Sequence, residues 1–507
     1  MSCFVSSFFF ILLALFSLVS CSNGASWIAA DDDQSPDDDN EPLNVDPPVN
    51  PYLANSPCPI AHFNSYCQGS SSLRGPEAGD DLVVSFLPGS PVSAFLLYTN
   101  PDAQGKYGVW ASSAFHVYTI DDNQQPMKTL STIDKPVDIR NLMSGAYTAL
   151  DADGTLFSPK ANKIYAYGTA DPTDYTTPIV QKAIWEIPYL ATDDEVIAVN
   201  ITYDGRLAFA SAAGVLGVVR RDFTDPQLLQ LGGGKEVLSN SFALDEDGGI
   251  YLITSKTMYR VQWTGTELTQ DETQGAWSVP YDGGPQTLQP GRVSAGSGTT
   301  PAVMGFGDQD KLVLVCDGRQ IMHIIAYWRD QIPADWEPLY PGANPRIAGD
   351  QPVDFGDPLA IGTNTEQALV IRGGDAFAVN NFKGDDPLTG GLAAFNSNKP
   401  PWAPYGVQKF TWDAAHRQLV SAWANPTISC PNGVPAMSSA SRLAYCIGQR
   451  ASIWTLEAID WDTGASAFHV NLGESLEYNS FWANIEIGPD RNVITGTFLG
   501  TLDIRPR

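Results

Sequence analysis

The stretch Phe242-Ala-Leu-Asp-Glu-Asp-Gly-Gly-Ile-Tyr251 places an apolar strand, a tight Asp-Gly turn and a second apolar strand within ten residues. Asp-Gly favours a hairpin because glycine enters φ > 0 without a Cβ clash, and the apolar flanks supply two strands to pair. The phrase recurs as Thr148-Ala-Leu-Asp-Ala-Asp-Gly-Thr-Leu-Phe157 and Asn200-Ile-Thr-Tyr-Asp-Gly-Arg-Leu-Ala-Phe209. Looser copies run over 303–313, 410–420 and 485–494, and the turns at Asp153, Asp204, Asp247 and Asp308 are spaced 43 to 61 residues apart. A loose period built of hairpins predicts an all-β fold, a β-propeller. About 430 residues at roughly 50–60 per unit give seven or eight four-stranded blades.

Composition agrees. Of 507 residues, 45 are Gly and 37 Pro, and apolar runs stop after a few residues, which excludes a helical bundle. The net charge of −28 excludes nucleic acid as a partner, since phosphate binding rests on Lys and Arg.

The apolar run from Phe8 to Val19 is too short to span a bilayer and predicts a signal peptide over residues 1–20. It ends Leu18-Val19-Ser20-Cys21, which resembles the lipobox of bacterial lipoproteins; that resemblance implies lipidation at Cys21. Secretory cleavage between Ser20 and Ala25 is the alternative. Eight acids and no base lie between the signal and Pro57, so residues 21–75 are expected to be an acidic, Pro/Asn-rich linker with a small Cys58–Cys67 loop, and 76–507 the propeller. In an oxidising compartment, Cys58–Cys67 and Cys430–Cys446 are expected as local disulfides, leaving Cys316 a buried strand thiol. These features place the protein outside the cytoplasm, secreted or lipid-anchored in the cell envelope. It is expected to be a monomer that meets a membrane only through its lipid.

Two phrases carry family resemblances. Leu456-Glu-Ala-Ile-Asp-Trp-Asp-Thr-Gly464 followed by Phe468 resembles the tryptophan-docking phrase of quinoprotein-like propellers, in which an aromatic ring packs between blades. The adjacent Cys-Cys pair common in the quinone dehydrogenases is missing here. Ser239-Asn-Ser-Phe-Ala-Leu-Asp-Glu-Asp-Gly-Gly-Ile-Tyr251 resembles the Asn-Gly, apolar, Asp-Gly, Tyr phrase of gluconolactonase and strictosidine-synthase propellers, with Ser241 in place of the favoured Gly. That resemblance implies a calcium ion or substrate held by the Asn.

Independently of either family, Asn200, Asn240, Asn381, Asn479 and Asn484 lie near predicted inner-strand starts, which converge on a propeller axis. Amide oxygens there, with Asp245 or Glu486, suit a hard cation such as calcium; strand capping is the competing role. His323, with Arg329 close by, is the expected catalytic base, and Arg329 and Arg372 are candidates to orient a carboxylate. Pairing of these arginines with Asp330 and Asp375 is the structural alternative, and blade packing is the alternative to sugar stacking for Trp402, Trp412 and Trp423. Ser294–Pro301 is a Gly-rich loop without a Walker Lys. The expected function is an exported propeller hydrolase acting on a small ester or lactone in the central channel with calcium. A non-catalytic envelope binding or assembly module and a polysaccharide lyase acting on a glycan are the alternatives.

Overall fold

The computed structural model describes residues 27–29, 45–89, 95–136, 145–285, 290–293 and 296–507. Eight antiparallel sheets follow one another along the chain and form the blades of a β-propeller. Their inner strands are Phe95–Tyr98 (blade 1), Ala149–Leu150 (2), Val196–Ile201 (3), Ala243–Leu244 (4), Ala302–Met304 (5), Val370–Arg372 (6), Ala436–Ser438 (7) and Ile485–Ile487 (8). Blade 8 takes its outer strand from the N-terminal side: Leu82–Pro88 runs antiparallel to Gly500–Pro506, from Leu82↔Pro506 to Pro88↔Gly500. Joining the two ends of the chain in one sheet closes the ring and leaves no terminal blade to fray. Trp27–Ala29 adds a further strand to the outer edge of blade 7.

The repeated phrase forms the turn at the lower end of the inner strand in blades 2, 3, 4, 5 and 8, whereas the copy over 410–420 is the turn between the third and fourth strands of blade 6. In blades 2 and 4 the organiser is the first acid of the phrase. Asp151 Oδ1 accepts from the N–H groups of Asp153 and Thr155, and Asp245 Oδ1 accepts from those of Asp247 and Gly249. In blade 3 the Thr202 hydroxyl accepts from Arg206 N–H instead. Gly154, Gly205 and Gly248 follow with φ of 70°, 85° and 81°, the left-handed region that the Asp-Gly pairs require.

Adjacent blades are tied by a repeating device. An indole N–H late in, or just after, the third strand donates to a carboxylate of the preceding blade: Trp263 to Asp204 (2.8 Å), Trp412 to Asp310 (3.0 Å) and Trp461 to Asp375 (3.1 Å). Gly464 of the docking phrase faces the Trp423 ring of blade 6, and a Cβ there would lie 2.4 Å from it. The indole rings of Trp412 and Trp423 are thus blade packing, not sugar platforms.

The axis is filled. The segment expected to be linker is, from Asp46 onward, a plug that rises through the ring, turns at His62–Phe63 and descends. Carbonyls of Cys58, Pro59, Ser65, Tyr66, Gln68 and Gly69 accept from inner-strand N–H groups of Tyr98, Leu150, Leu244, Val303, Ile371 and Met437, at 2.7–3.0 Å. Asn50 Nδ2 donates to Ile201 O of blade 3 (2.7 Å). Inner strands otherwise present unpaired N–H groups, and each one buried alone costs about 1–3 kcal/mol. The plug therefore replaces channel solvent with peptide. The apolar residues Leu53, Ile60, Phe63 and Tyr66, hidden among the acids and prolines, are what allow it to stay there.

Cys430 and Cys446 form a disulfide, as expected. Cys58 and Cys67 do not. They face different blades, Cys58 beside Glu486 of blade 8 and Cys67 against the Phe242 carbonyl of blade 4 (3.5 Å), and both are buried thiols, as is Cys316. Residues 1–20, Cys21, and Ser294 and Ala295 of the Gly-rich loop lie outside the described residues.

Candidate functional site

At the upper end, where the inner strands begin, the plug tip meets polar residues from several blades. His62 is buried beside Phe95 and Tyr147, with ring centroids 6.3 and 6.0 Å away. Neither ring nitrogen is hydrogen-bonded, and burial lowers its pKa to about 4, so the ring is neutral. Glu366 of blade 6 is paired with Arg292 at 2.7 Å, and burial nevertheless pushes its carboxyl up to about 7. Lys383, buried over the Trp482 ring, is lowered to about 7 by burial. Glu486 in blade 8 accepts from Asn484 Nδ2 (3.0 Å) and is raised to about 8 by burial.

The asparagines do not form the expected cation ring. Asn200 donates to Phe242 O and accepts from Ile201 N–H; Asn381 donates to Pro431 O and accepts from Glu366 N–H. Asn479 donates to Ala394 O and accepts from Asn432 Nδ2 and Phe481 N–H, while Asn240 donates to Ser297 O. These amides tie one blade or loop to the next, and three of the oxygens a calcium ion would need already accept N–H groups. Asn484 Oδ1 alone of the five is a buried oxygen without a partner. The set does not fit a shared calcium ion, and no group of three His, Cys, Asp or Glu that could hold a metal occurs among the described residues.

Arg329 is not placed for catalysis. It is fully buried at the lower end of blade 5, where it donates to the plug's Tyr66 hydroxyl (2.9 Å) and to Asp330 (3.1 Å), beside Asp245 and Glu246. Arg372 reaches Asp46 at the entrance of the plug (2.6 Å) instead of its neighbour Asp375. Both arginines fasten the plug.

His323 is at the upper face, on the first residue of the third strand of blade 5. The antiparallel partner strand Ile347–Pro352 brings Asp350 to it, with Nδ1 at 2.5 Å from Asp350 Oδ1. Arg319 Nη1 also lies against Nδ1, at 2.6 Å, while Nε2 has no partner among the described residues. Arg319 donates to both oxygens of Asp350 (3.1 and 3.2 Å). Burial opposes ionisation of Asp350, yet these hydrogen bonds hold its carboxyl below the usual carboxylate range. Arg319 also lines a cleft of about 500 Å³ between blades 5 and 6, with Arg292, Gln320, Ile361, Asn364 and Phe382. Asn364 Oδ1 is buried there without a partner. Asp350, Arg319 and Asn364 escaped the sequence reading because nothing in their local spacing links them to His323; strand register does.

No protein-family model matches the chain. Among solved structures it is similar to a europium-containing methanol dehydrogenase, with a TM-score of 0.58 and 10% identity over 89% of this chain and 98% of that one. It is also similar to the quinohemoprotein alcohol dehydrogenase ADHIIG of Pseudomonas putida HK5, with a TM-score of 0.53 and 11% identity over 92% of this chain and 83% of that one. At such identities the likeness establishes the β-propeller fold and nothing of the chemistry. With 37% identity over 476 residues, 92% of its length and 90% of the relative's, the chain belongs to the same family as an uncharacterized protein of Archaeoglobus fulgidus.

Proposed function

We propose that this protein is an exported propeller hydrolase that acts on a small organic ester or lactone at the upper cleft between blades 5 and 6. The observation that carries the reading is the Asp350–His323 pair, an imidazole against a carboxylate with Nε2 unpartnered among the described residues, joined through Arg319 to the cleft that Arg319 and Arg292 line. In this role His323 Nδ1–H donates to Asp350, Nε2 takes a proton from the water that adds to the substrate carbonyl, and the imidazolium, stabilised by Asp350, returns that proton to the leaving alkoxide as its C–O bond breaks. The Arg319 guanidinium faces the oxyanion developing on the substrate carbonyl. The central channel is not the site, because the plug occupies it. His323→Gln should lower kcat/KM for p-nitrophenyl acetate or γ-butyrolactone by about 10²–10⁴-fold at unchanged thermal stability. Full activity in that variant, or no hydrolysis of either compound by the parent protein, would overturn the assignment.

The Cys430–Cys446 disulfide supports an oxidising compartment. If Cys21 carries lipid, Cys21→Ala moves the protein from the membrane fraction to the soluble one; membrane association unchanged by that substitution would exclude the anchor.

A further inference from the structure

The lower face carries a second cleft, about 660 Å³, between blades 2 and 3, far from His323. Four cations line it, Lys182, Arg206, Arg220 and Arg221, in a chain that has only 29 Lys and Arg against 57 acids. Its carboxylates are already engaged. Asp151 and Asp153 hold Arg221 at 2.6 and 2.9 Å; Asp204 accepts from the Trp263 indole and the Thr202 hydroxyl; Asp222 accepts from Thr224. Arg206 is likewise held by Asp225 at 2.9 Å, which leaves Lys182 and Arg220 as the less fully matched cations. Lys182 touches only the Thr155 hydroxyl (2.9 Å) and has no carboxylate within ion-pair distance among the described residues. Arg220, with its side chain 60% exposed, reaches Asp225 only through Nε at 3.8 Å, which leaves both terminal nitrogens as donors.

These groups are held in place. The Lys182 stem lies across Gly168, where a Cβ would come within 2.3 Å of it. The loop that carries Arg220 and Arg221 is pinned by Phe223, which takes φ of 65° and stacks on Trp185 of blade 2 at 5.6 Å. A non-glycine residue at positive φ costs on the order of 1 kcal/mol or more, and the stacking offsets that cost. Arg206 lies over the Trp263 ring at 5.3 Å.

We infer that this cleft is a binding site for an oxyanion of the phosphate type, received by Lys182 and Arg220 with Arg206 and Arg221 behind them. A guanidinium fork and an ammonium converging on a concave, preorganised surface match the tetrahedral oxygens of a phosphate group, and the negative charge of the rest of this acidic body disfavours an anion elsewhere on the lower face. The site is independent of the hydrolase reading and stands on the opposite face of the ring.

Titration calorimetry of the full protein with inorganic phosphate tests it. One site per chain is expected, weakening with added NaCl, and at least about tenfold weaker in Lys182→Gln/Arg220→Gln, whose side chains are exposed enough to leave the far-ultraviolet circular dichroism unchanged. No binding by the parent protein, or equal affinity in the double variant, overturns the proposal. Flotation with phosphatidylglycerol and phosphatidylcholine vesicles then identifies the source: capture by phosphatidylglycerol alone, competed by phosphate, assigns a lipid headgroup, and no capture assigns a free small-molecule phosphate.

Discussion

Arg329→Ala is expected to lower the unfolding free energy by about 3–5 kcal/mol, the range for removing one partner from a buried ion pair. The guanidinium is fully buried and sits within 4 Å of carboxylate oxygens on Asp245, Glu246 and Asp330. Without it, Asp245 loses one of its two cationic neighbours among the described residues and keeps Arg260 (3.7 Å), and the Tyr66 hydroxyl loses both its donor and the cation over its ring. Tyr66→Phe removes two hydrogen bonds to charged groups, the one Arg329 donates and the one the hydroxyl donates to Glu246, and should cost about 2–3 kcal/mol. The two substitutions should be strongly non-additive, because each disables the same plug-to-blade contact. Urea unfolding of the two single variants and the double variant measures this coupling. A normal unfolding midpoint in Arg329→Ala together with lost turnover would return Arg329 to the catalytic machinery and break the account of the plug.

That experiment also marks where sequence reading stops. The blades were legible because each Asp-Gly turn and its apolar flanks are local, and a local pattern needs no knowledge of partners. The Trp461 phrase was legible for the same reason. The plug was not, because it continues an acidic segment and itself has a linker's composition, with five prolines from Pro47 to Pro59 and only a few apolar residues among them. Its stability comes from carbonyls that meet N–H groups as far away in sequence as Met437, a long-range pairing that no spacing encodes. The proximity of Cys58 and Cys67 likewise suggested a bridge, yet the chain reverses at His62–Phe63 and sends the two thiols to blades 8 and 4. His323 was identifiable as a candidate, whereas the Asp350 that orients it became visible only through the pairing of two strands. The inner-strand asparagines carried two readings, metal ligand or strand cap, because an amide near the axis can serve either role, and their hydrogen bonds to neighbouring blades and loops fit the second.

The plug contact with blade 8 makes the second large effect one of pH. Glu486 is fully buried with no salt-bridge partner among the described residues; its neighbours are the Asn484 amide and the Cys58 thiol, and burial raises its pKa from 4.5 to about 8. The folded state therefore keeps a proton that the unfolded chain releases near pH 4.5. Between pH 4.5 and 8 the native state binds more protons, so the contribution of this group to stability is complete below 4.5 and is lost as pH rises through that window. At about 1.4 kcal/mol per unit, the loss is on the order of a few kcal/mol by pH 8. Glu366 and Asp122, each raised to about 7 chiefly by burial, act in the same direction. Lys135 and Lys383, lowered to about 7 by burial, act oppositely and only above that value. Glu486→Gln keeps the shape and the acceptor for Asn484 while removing the ionisation. Its urea midpoint should equal that of the parent at pH 5 and exceed it increasingly towards pH 8. Parallel midpoint curves for the two proteins would mean that Glu486 is already charged in the folded state, and that the plug rests on blade 8 through an ion instead of a shared proton.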